Sequence, residues 1–398
     1  MKVTKKYIIA LILVISVVGA GIATFVIFLP SKKSFESKIR DLMGEYEIPS
    51  LAAGIAINDS LIWAKGFGDQ SDLDIVYMIG SITKTFTATS ILQLNESNLL
   101  NLDDDVNDHL PFDVRNPDYS STPITIQMLL THTAGLARDF DISYYFDKEM
   151  IQWINAFFGT NYTYWDPKPS LEEFLNGSLN PSGLYYNPNN WISEPGTEFS
   201  YSNAGFEILG YLVEQVSNQS IVEYVQENIL DPLNMTNSGY DYIDFTGKNA
   251  IPYERVYGSN FEIDFYNLSL NGAGSLRSTI PDLAKYMIAH MNQGKYNGFQ
   301  LLTPEKIELM HKKHVLIPGS EPAGYGLGWL IAADGTQGHD GATPGFLASM
   351  YMKESEHGTF GIVLMFNRGS SFVLDIELLT EFYPAILLLL FERAEDLL

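Results

Sequence analysis

Three short segments carry residues whose types and spacing can do chemistry. The first, Ser81-Ile82-Thr83-Lys84, is the only Ser-x-x-Lys in the chain. On a helix, positions i and i+3 share a face, so the Lys84 amine can sit against the Ser81 hydroxyl. A serine hydroxyl is a weak nucleophile without an adjacent base. A lysine amine becomes that base when desolvation or a neighbouring cation lowers its pKa. Ser81 follows Gly80 and opens the predicted helix, so its backbone N–H is available to an oxyanion. The second segment is Tyr201-Ser202-Asn203. Its phenol can relay protons where cations bring its pKa down, and its amide can hold a substrate carbonyl or Lys84. Read alone, it is a turn with Asn203 capping the helix that follows. The third is Gly338-His339-Asp340-Gly341-Ala342-Thr343-Pro344-Gly345. Here Gly341 and its fellow glycines let a ligand approach a strand edge closely. The Ala342 N–H can complete an oxyanion hole with that of Ser81. His339 is expected to project into the cleft as a hydrogen-bond donor or a cation. Read alone, this segment is a glycine-rich hairpin with an exposed histidine.

These segments need elements to position them. Phe35, Ile39, Leu42 and Met43 fall at helical spacing, which predicts a helix over 34–47. The runs 51–57 and 61–67 read as two strands around Asn58-Asp59. A helix is predicted over 81–94, with Ile82, Phe86, Ile91 and Leu94 inward. Residues from about 100 to 290 read as mainly helical and loop-rich, with helices over 206–215 and 221–229. From Gly324 the texture changes to short apolar runs with Gly/Pro punctuation, predicting strands over 325–332, 348–353 and 360–367 and a last apolar helix over 382–391. Strands and flanking helices thus come from the two ends of the body and helices from its middle. The expected fold is α/β with a helical lobe and a cleft between the two parts.

Composition narrows the chemistry. The 398 residues contain no Cys, which removes disulfides, thiolate metal sites and cysteine nucleophiles together. The net charge of −24 argues against nucleic acid as a partner, since phosphates require Lys/Arg stripes. Residues 1–33 hold five Lys and no acid, so the remainder has 19 basic and 48 acidic residues, a net charge of −29. That body reads as a solvated acidic surface. No His-Glu-x-x-His, P-loop or Gly-x-Ser-x-Gly pattern occurs, which leaves a zinc peptidase, an NTPase and a nucleophile-elbow hydrolase without support.

Residues 7–29 are uncharged and mostly aliphatic, and at about 1.5 Å per residue they reach across a hydrocarbon core of roughly 30 Å. Lys2, Lys5 and Lys6 precede them, and Lys32 and Lys33 follow. Cleavage near Gly19-Ala20-Gly21-Ile22-Ala23 would leave an apolar stub, so an uncleaved membrane anchor is preferred to a signal peptide. Seven Asn-X-Ser/Thr sequons, from Asn58 to Asn267, are compatible with a domain facing outward.

Taken in order, the three segments resemble the serine β-lactamase/penicillin-binding-protein family, specifically its class C β-lactamase-related branch of esterases, D-amino-acid peptidases and DD-peptidases. The segments 129–136 (Leu-Leu-Thr-His-Thr-Ala-Gly-Leu), 272–279 (Gly-Ala-Gly-Ser-Leu-Arg-Ser-Thr) and 324–329 (Gly-Tyr-Gly-Leu-Gly-Trp) strengthen it, and the resemblance runs from about Phe35 to the C-terminus. It implies an antiparallel sheet flanked by helices plus an all-helical lobe. It implies that Ser81 is the acylated nucleophile and that Lys84 and Tyr201 share general-base and general-acid duty. Asn203 would position substrate or Lys84, and Ser81 and Ala342 would supply the oxyanion N–H groups. No cofactor and no metal are implied. The expected protein is a membrane-anchored hydrolase of 34–398 behind a 1–33 anchor, its catalytic domain outside the cytoplasm, acting on small esters, amides or peptides. A β-lactam-binding peptidase, a β-lactamase and a silent scaffold on the same fold are the rivals. His339 is a departure: many members have a Lys there, a fixed charge for a substrate carboxylate, whereas a histidine is neutral or partly charged near pH 7.

Three further features are read structurally. His132 is taken as a satisfied polar residue beneath the cleft. His311 and His314 read as a solvated basic helix face rather than a metal pair. The aromatic-rich stretch 137–195 reads as helical-lobe core plus a surface loop, with an aromatic lid over Ser81 as the functional alternative.

Overall fold

The computed structural model describes residues 33–370 and 375–398. Its centre is an eight-stranded antiparallel sheet. The strands are β1 (Ser50–Ile57), β2 (Ser60–Gly68), β3 (Val315–Leu316), β4 (Gly324–Tyr325), β5 (Leu330–Ile331), β6 (Gln337–Thr343), β7 (Phe346–Ser355) and β8 (Gly358–Phe366). Their spatial order is β2-β1-β8-β7-β6-β5-β4-β3. The expected run 325–332 is thus two short strands, because Gly328 takes φ +79° to bring its backbone against Ala88 of the neighbouring helix.

Strand burial follows from what covers each face. β1 is buried on both faces along almost its whole length, whereas β2, at the sheet edge, alternates between exposed and half-buried over Ser60–Trp63 and is buried only at Gly66 and Phe67. Period-two alternation sorts β8: Phe360, Ile362, Leu364 and Phe366 join one apolar cluster, and Val363 and Met365 join the other. The first cluster is covered by helices α1 (Phe35–Glu45) and α5 (Tyr383–Leu397). The second lies beneath helix α4 (Ile280–Met291) and runs on into the helical part.

Helix α2 (Thr83–Glu96) lies in that second cluster. It is buried all round rather than on one stripe. Its hydroxyls satisfy themselves on backbone: Thr85 and Ser90 donate to the Ile82 and Phe86 carbonyls of the same segment, and Thr87 donates to the Gly272 carbonyl. Phe86 stacks on Tyr286 with centroids 3.9 Å apart, and full burial of such a ring contributes about 1.5–3 kcal/mol.

The middle of the chain carries helix α3 (Asn203–Ser217) and a turn-rich set of short helices. It is not all-helical. A hairpin, Tyr253–Val256 with Ser259–Glu262, and a two-residue pairing of Tyr77–Met78 with Arg277–Ser278 interrupt it. The apolar and β-branched residues Tyr253, Val256 and Phe261 around Tyr257-Gly258 favour the hairpin. Among the aromatic residues of 137–195, Tyr144 stacks on Phe174 at 3.8 Å and Trp165 on Tyr185 at 4.7 Å. These four pack into or against the helical core, as the structural reading expected. Among the described residues no helix is long and apolar enough to cross a membrane. The span expected over 7–29 lies outside the described residues.

Candidate active site

Ser81 sits in a single tight turn, Gly80–Ile82, that leads into α2. Gly80 has φ +53°, a conformation that favours glycine. The turn lies beside β6, and the topology explains why there is room. β5 pairs only with Gln337 and Gly338 of β6, so residues 339–343 have no strand on that side. A Cβ on Gly341 would lie 1.8 Å from the Ile79 carbonyl oxygen and 3.2 Å from the Ser81 nitrogen. One on Gly80 would lie 2.7 Å from the Ala342 nitrogen. Glycine at both positions therefore brings the Ser81 and Ala342 amides together beside the Ser81 hydroxyl.

Lys84 is one helical turn on and 0 % exposed. Its Nζ is 3.0 Å from Ser81 Oγ, and it donates to Asn203 Oδ1 at 2.7 Å and to the Ala273 carbonyl at 2.7 Å. Burial lowers its pKa; Asp139 and Glu207 act against that and Arg138 with it, and the net result is about 7. A neutral amine has two N–H bonds and one lone pair. The two fixed acceptors take both N–H bonds, so the lone pair is left facing the Ser81 hydroxyl.

Tyr201 lies beside Ser81, and its ring centre is 5.0 Å from Lys84 Nζ. Burial raises the phenol well above its ordinary range, against Ser81 and Arg138. Tyr201 therefore keeps its proton at neutral pH.

Asn203 does not cap α3. Ser202 does, accepting from the Gly205 N–H, which frees the Asn203 amide for the site. Asn203 Nδ2 donates to Asp139 Oδ1 at 2.7 Å, and its backbone N–H donates to the Arg138 carbonyl at 2.7 Å. The Asp139 acceptor fixes the amide orientation, so Oδ1 must face Lys84.

His339 differs from expectation. Its Nδ1 contacts the Asp340 carbonyl, which can only accept, so Nδ1 carries the proton. Nε2 then accepts from the Tyr325 hydroxyl at 2.9 Å. Burial, with Lys84 nearby, lowers its pKa to about 3. The imidazole is neutral and committed on both nitrogens. It lines the wall beside Tyr201, ring centres 6.2 Å apart, and is neither a cation nor a free donor in the cleft. Asp340, one residue on, points to the other face of β6 and accepts from the Tyr351 and Tyr383 hydroxyls.

His132 accepts the Ser202 N–H on Nδ1 at 3.1 Å and packs among the Tyr201, Phe206 and Tyr325 rings. It thus holds the Tyr201–Asn203 turn from beneath. His311 is not on a solvated face. It turns inward, 3.1 Å from His290 Nδ1 and against Trp329, because the apolar ring edge completes that core. Among the described residues no three His, Cys, Asp or Glu side chains form a metal-holding group.

The structure adds residues that the motifs do not announce. Glu207, on α3 one turn after Asn203, is 1 % exposed. Burial pushes its carboxyl up to about 8, against Lys84 and the Gly272 and Ala273 backbone amides. It thus lies beside the turn whose Ala273 carbonyl receives Lys84. An acid four residues after Asn203 within the apolar run 204–213 is its only sequence signal. Asp139, Ala273 and Tyr325 join through long-range contacts with no local signal of role.

Residues 35–380 match the Beta-lactamase family, and the chain belongs to it. The protein is similar to Protein flp of Staphylococcus aureus (strain NCTC 8325 / PS 47), 26% identical over 363 residues. That match covers 86% of this chain and 64% of the relative, so the chain spans less than two thirds of that relative's length. Its fold is similar to the octameric penicillin-binding protein homologue from Pyrococcus abyssi, with a TM-score of 0.72, 26% identity and coverage of 91% and 76% of the two chains. The D-amino acid amidase of Ochrobactrum anthropi SV3 shares the fold at a TM-score of 0.69 and 19% identity, covering 92% and 99%.

Proposed function

We propose that this protein is a serine hydrolase that acts through an acyl-enzyme on Ser81 and cleaves esters or small amides. The observation that carries the reading is the placement of Lys84, whose Nζ lies 3.0 Å from Ser81 Oγ while it donates to Asn203 Oδ1 and the Ala273 carbonyl, so that the amine, once neutral, keeps its lone pair for Ser81. Lys84 takes the Ser81 proton as Oγ attacks the substrate carbonyl. The oxyanion forms beside the Ser81 and Ala342 N–H groups. Tyr201, still protonated beside Ser81, relays a proton to the leaving group. Water then attacks the acyl-enzyme by the same route in reverse.

A fluorophosphonate probe should label Ser81, and Ser81→Ala should abolish that labelling. Equal labelling of wild type and variant, read by peptide mass spectrometry, would sink the reading. The acylation rate should also depend on pH. Lys84 must be neutral to act, and its lowered pKa means that the rate rises as pH climbs through about 7. The inflection belongs to the coupled site rather than to one residue. A rate flat between about pH 5 and 10, measured by probe labelling, contradicts the assignment.

A penicillin-binding or β-lactamase activity is the second reading. The neutral His339 weighs against it, because no fixed cation faces a β-lactam carboxylate from β6. Turnover of a chromogenic cephalosporin at rates above those for simple esters would reverse this preference. We further propose that residues 7–29 anchor the enzyme to a bilayer. Recovery of the full chain in the aqueous phase of a detergent partition would argue against it.

A further inference from the structure

Residues 339–343 of β6 have a neighbouring strand on one side only, because β5 pairs no further than Gly338. That half-free stretch carries Ala342, whose nitrogen lies against Gly80 of the turn that holds Ser81. A strand with one partner can shift sideways, and small displacements of a reacting geometry are costly in rate. On the face of β6 opposite His339, side chains fasten the stretch instead. Asp340 Oδ2 accepts from the Tyr351 hydroxyl of β7 at 2.6 Å, and Oδ1 accepts from the Tyr383 hydroxyl of α5. Ser349, the register partner of Asp340 on β7, then donates to the Tyr383 oxygen. Tyr351 and Tyr383 are each 1 % exposed and Ser349 is 0 % exposed, so packing fixes all three. Both tyrosines belong to the apolar cluster beneath α1 and α5, and Ala342 packs against the same cluster. An apolar side chain at position 340 would suit that layer. The carboxylate adds direction, because its two oxygens tie β6 to one strand and to one helix.

We infer that Asp340 is a positioning residue: with Tyr351, Tyr383 and Ser349 it clamps β6 so that the Ala342 N–H stays beside that of Ser81, which makes the C-terminal helix α5 part of the hydrolytic apparatus. The inference rests on the acyl-enzyme reading, in which those two amides receive the oxyanion. Asp340 acts only through its strand, since its side chain leaves β6 on the face away from His339 and Tyr201.

The test uses the full chain and the hydrolysis of p-nitrophenyl butyrate. One variant combines Asp340→Leu, Ser349→Ala, Tyr351→Phe and Tyr383→Phe, which removes the network whole and strands no polar partner. Replacing every member of a hydrogen-bonded set by apolar groups of similar shape is nearly neutral for stability, so the thermal midpoint should stay near that of wild type. Even so, kcat and kcat/KM should fall together by about tenfold, less than the 10²–10³ of an oxyanion donor lost outright. An equal fall in both marks an interaction made only in the transition state. A network that serves stability alone would leave kcat untouched once the midpoint is kept. Tyr383→Phe, which removes a single hydroxyl, should show the same equal fall at smaller size. Wild-type kcat in the folded combined variant overturns the inference, and so does a rise in KM alone. Where the combined variant does not fold, wild-type kcat in Tyr383→Phe overturns it. Stoichiometric labelling of Ser81 by a fluorophosphonate checks the reading beneath. Wild type that takes no label overturns the acyl-enzyme reading itself, and the positioning role with it.

Discussion

Lys84→Ala is expected to slow acylation of Ser81 by about three orders of magnitude or more, the scale seen when the base beside a nucleophile is removed. The argument rests on alternatives. Tyr201 lies beside Ser81 but burial holds it in its protonated form, so it cannot replace the base near neutral pH. His132 and His339 are close, yet each has its ring nitrogen on the bonded side taken, by the Ser202 N–H and the Tyr325 hydroxyl respectively. The variant also leaves Asn203 Oδ1 and the Ala273 carbonyl without their donor. Each unpaired buried acceptor costs about 1–3 kcal/mol, so a lower unfolding midpoint should accompany the loss. Rapid-mixing measurement of probe labelling, with thermal unfolding alongside, separates the two effects. Near-normal labelling in a folded Lys84→Ala protein would remove Lys84 from the mechanism.

Gly341→Ala is expected to be nearly as damaging, although it adds only a methyl group. That carbon would sit 1.8 Å from the Ile79 carbonyl oxygen, a backbone atom that cannot rotate away. Either β6 or the Gly80–Ile82 turn must move outward, and the gap between the Ser81 and Ala342 amides opens. Loss of one well-placed oxyanion donor is worth about 10²–10³ in rate. Labelling by the probe and hydrolysis of an ester should both fall by about that factor. Ordinary rates in this variant would mean that the two amides do not act together.

How much of this was legible in the sequence depended on range. Ser81 and Lys84 are one helical turn apart, so their contact follows from local geometry. Tyr201 and Asn203 were visible as a motif, but the motif left Asn203 free to be a helix cap. Only the fold shows that Ser202 caps α3 and releases it. Glu207, Asp139 and Ala273 were invisible as a group, because each reaches Lys84 through a different segment. For His339 a neutral ring is one of the readings the sequence leaves open, but not the engagement of both its nitrogens. Its neutrality comes from burial against Tyr325, a partner set by sheet order and not by spacing along the chain. The sheet itself was largely legible, since alternation and glycine punctuation survive in β7 and β8. The broken strand at β4 and β5 was not, because Gly328 is shaped by packing on Ala88.

The placement of the Gly80–Ile82 turn against β6 has a consequence for how the enzyme comes into being. The two amides that would hold the oxyanion are separated by roughly 260 residues of chain, so their meeting is among the most non-local contacts in the molecule. The Gly80–Ile82 turn and helix α2, which carry Ser81 and Lys84, follow β1 and β2 in the chain and precede every other strand of the sheet. The Ser81–Lys84 pair can exist in a nascent chain, but the pocket that stabilises negative charge cannot until β6 has been made and paired with β7. On the proposed mechanism, the oxyanion site is therefore a property of the finished sheet.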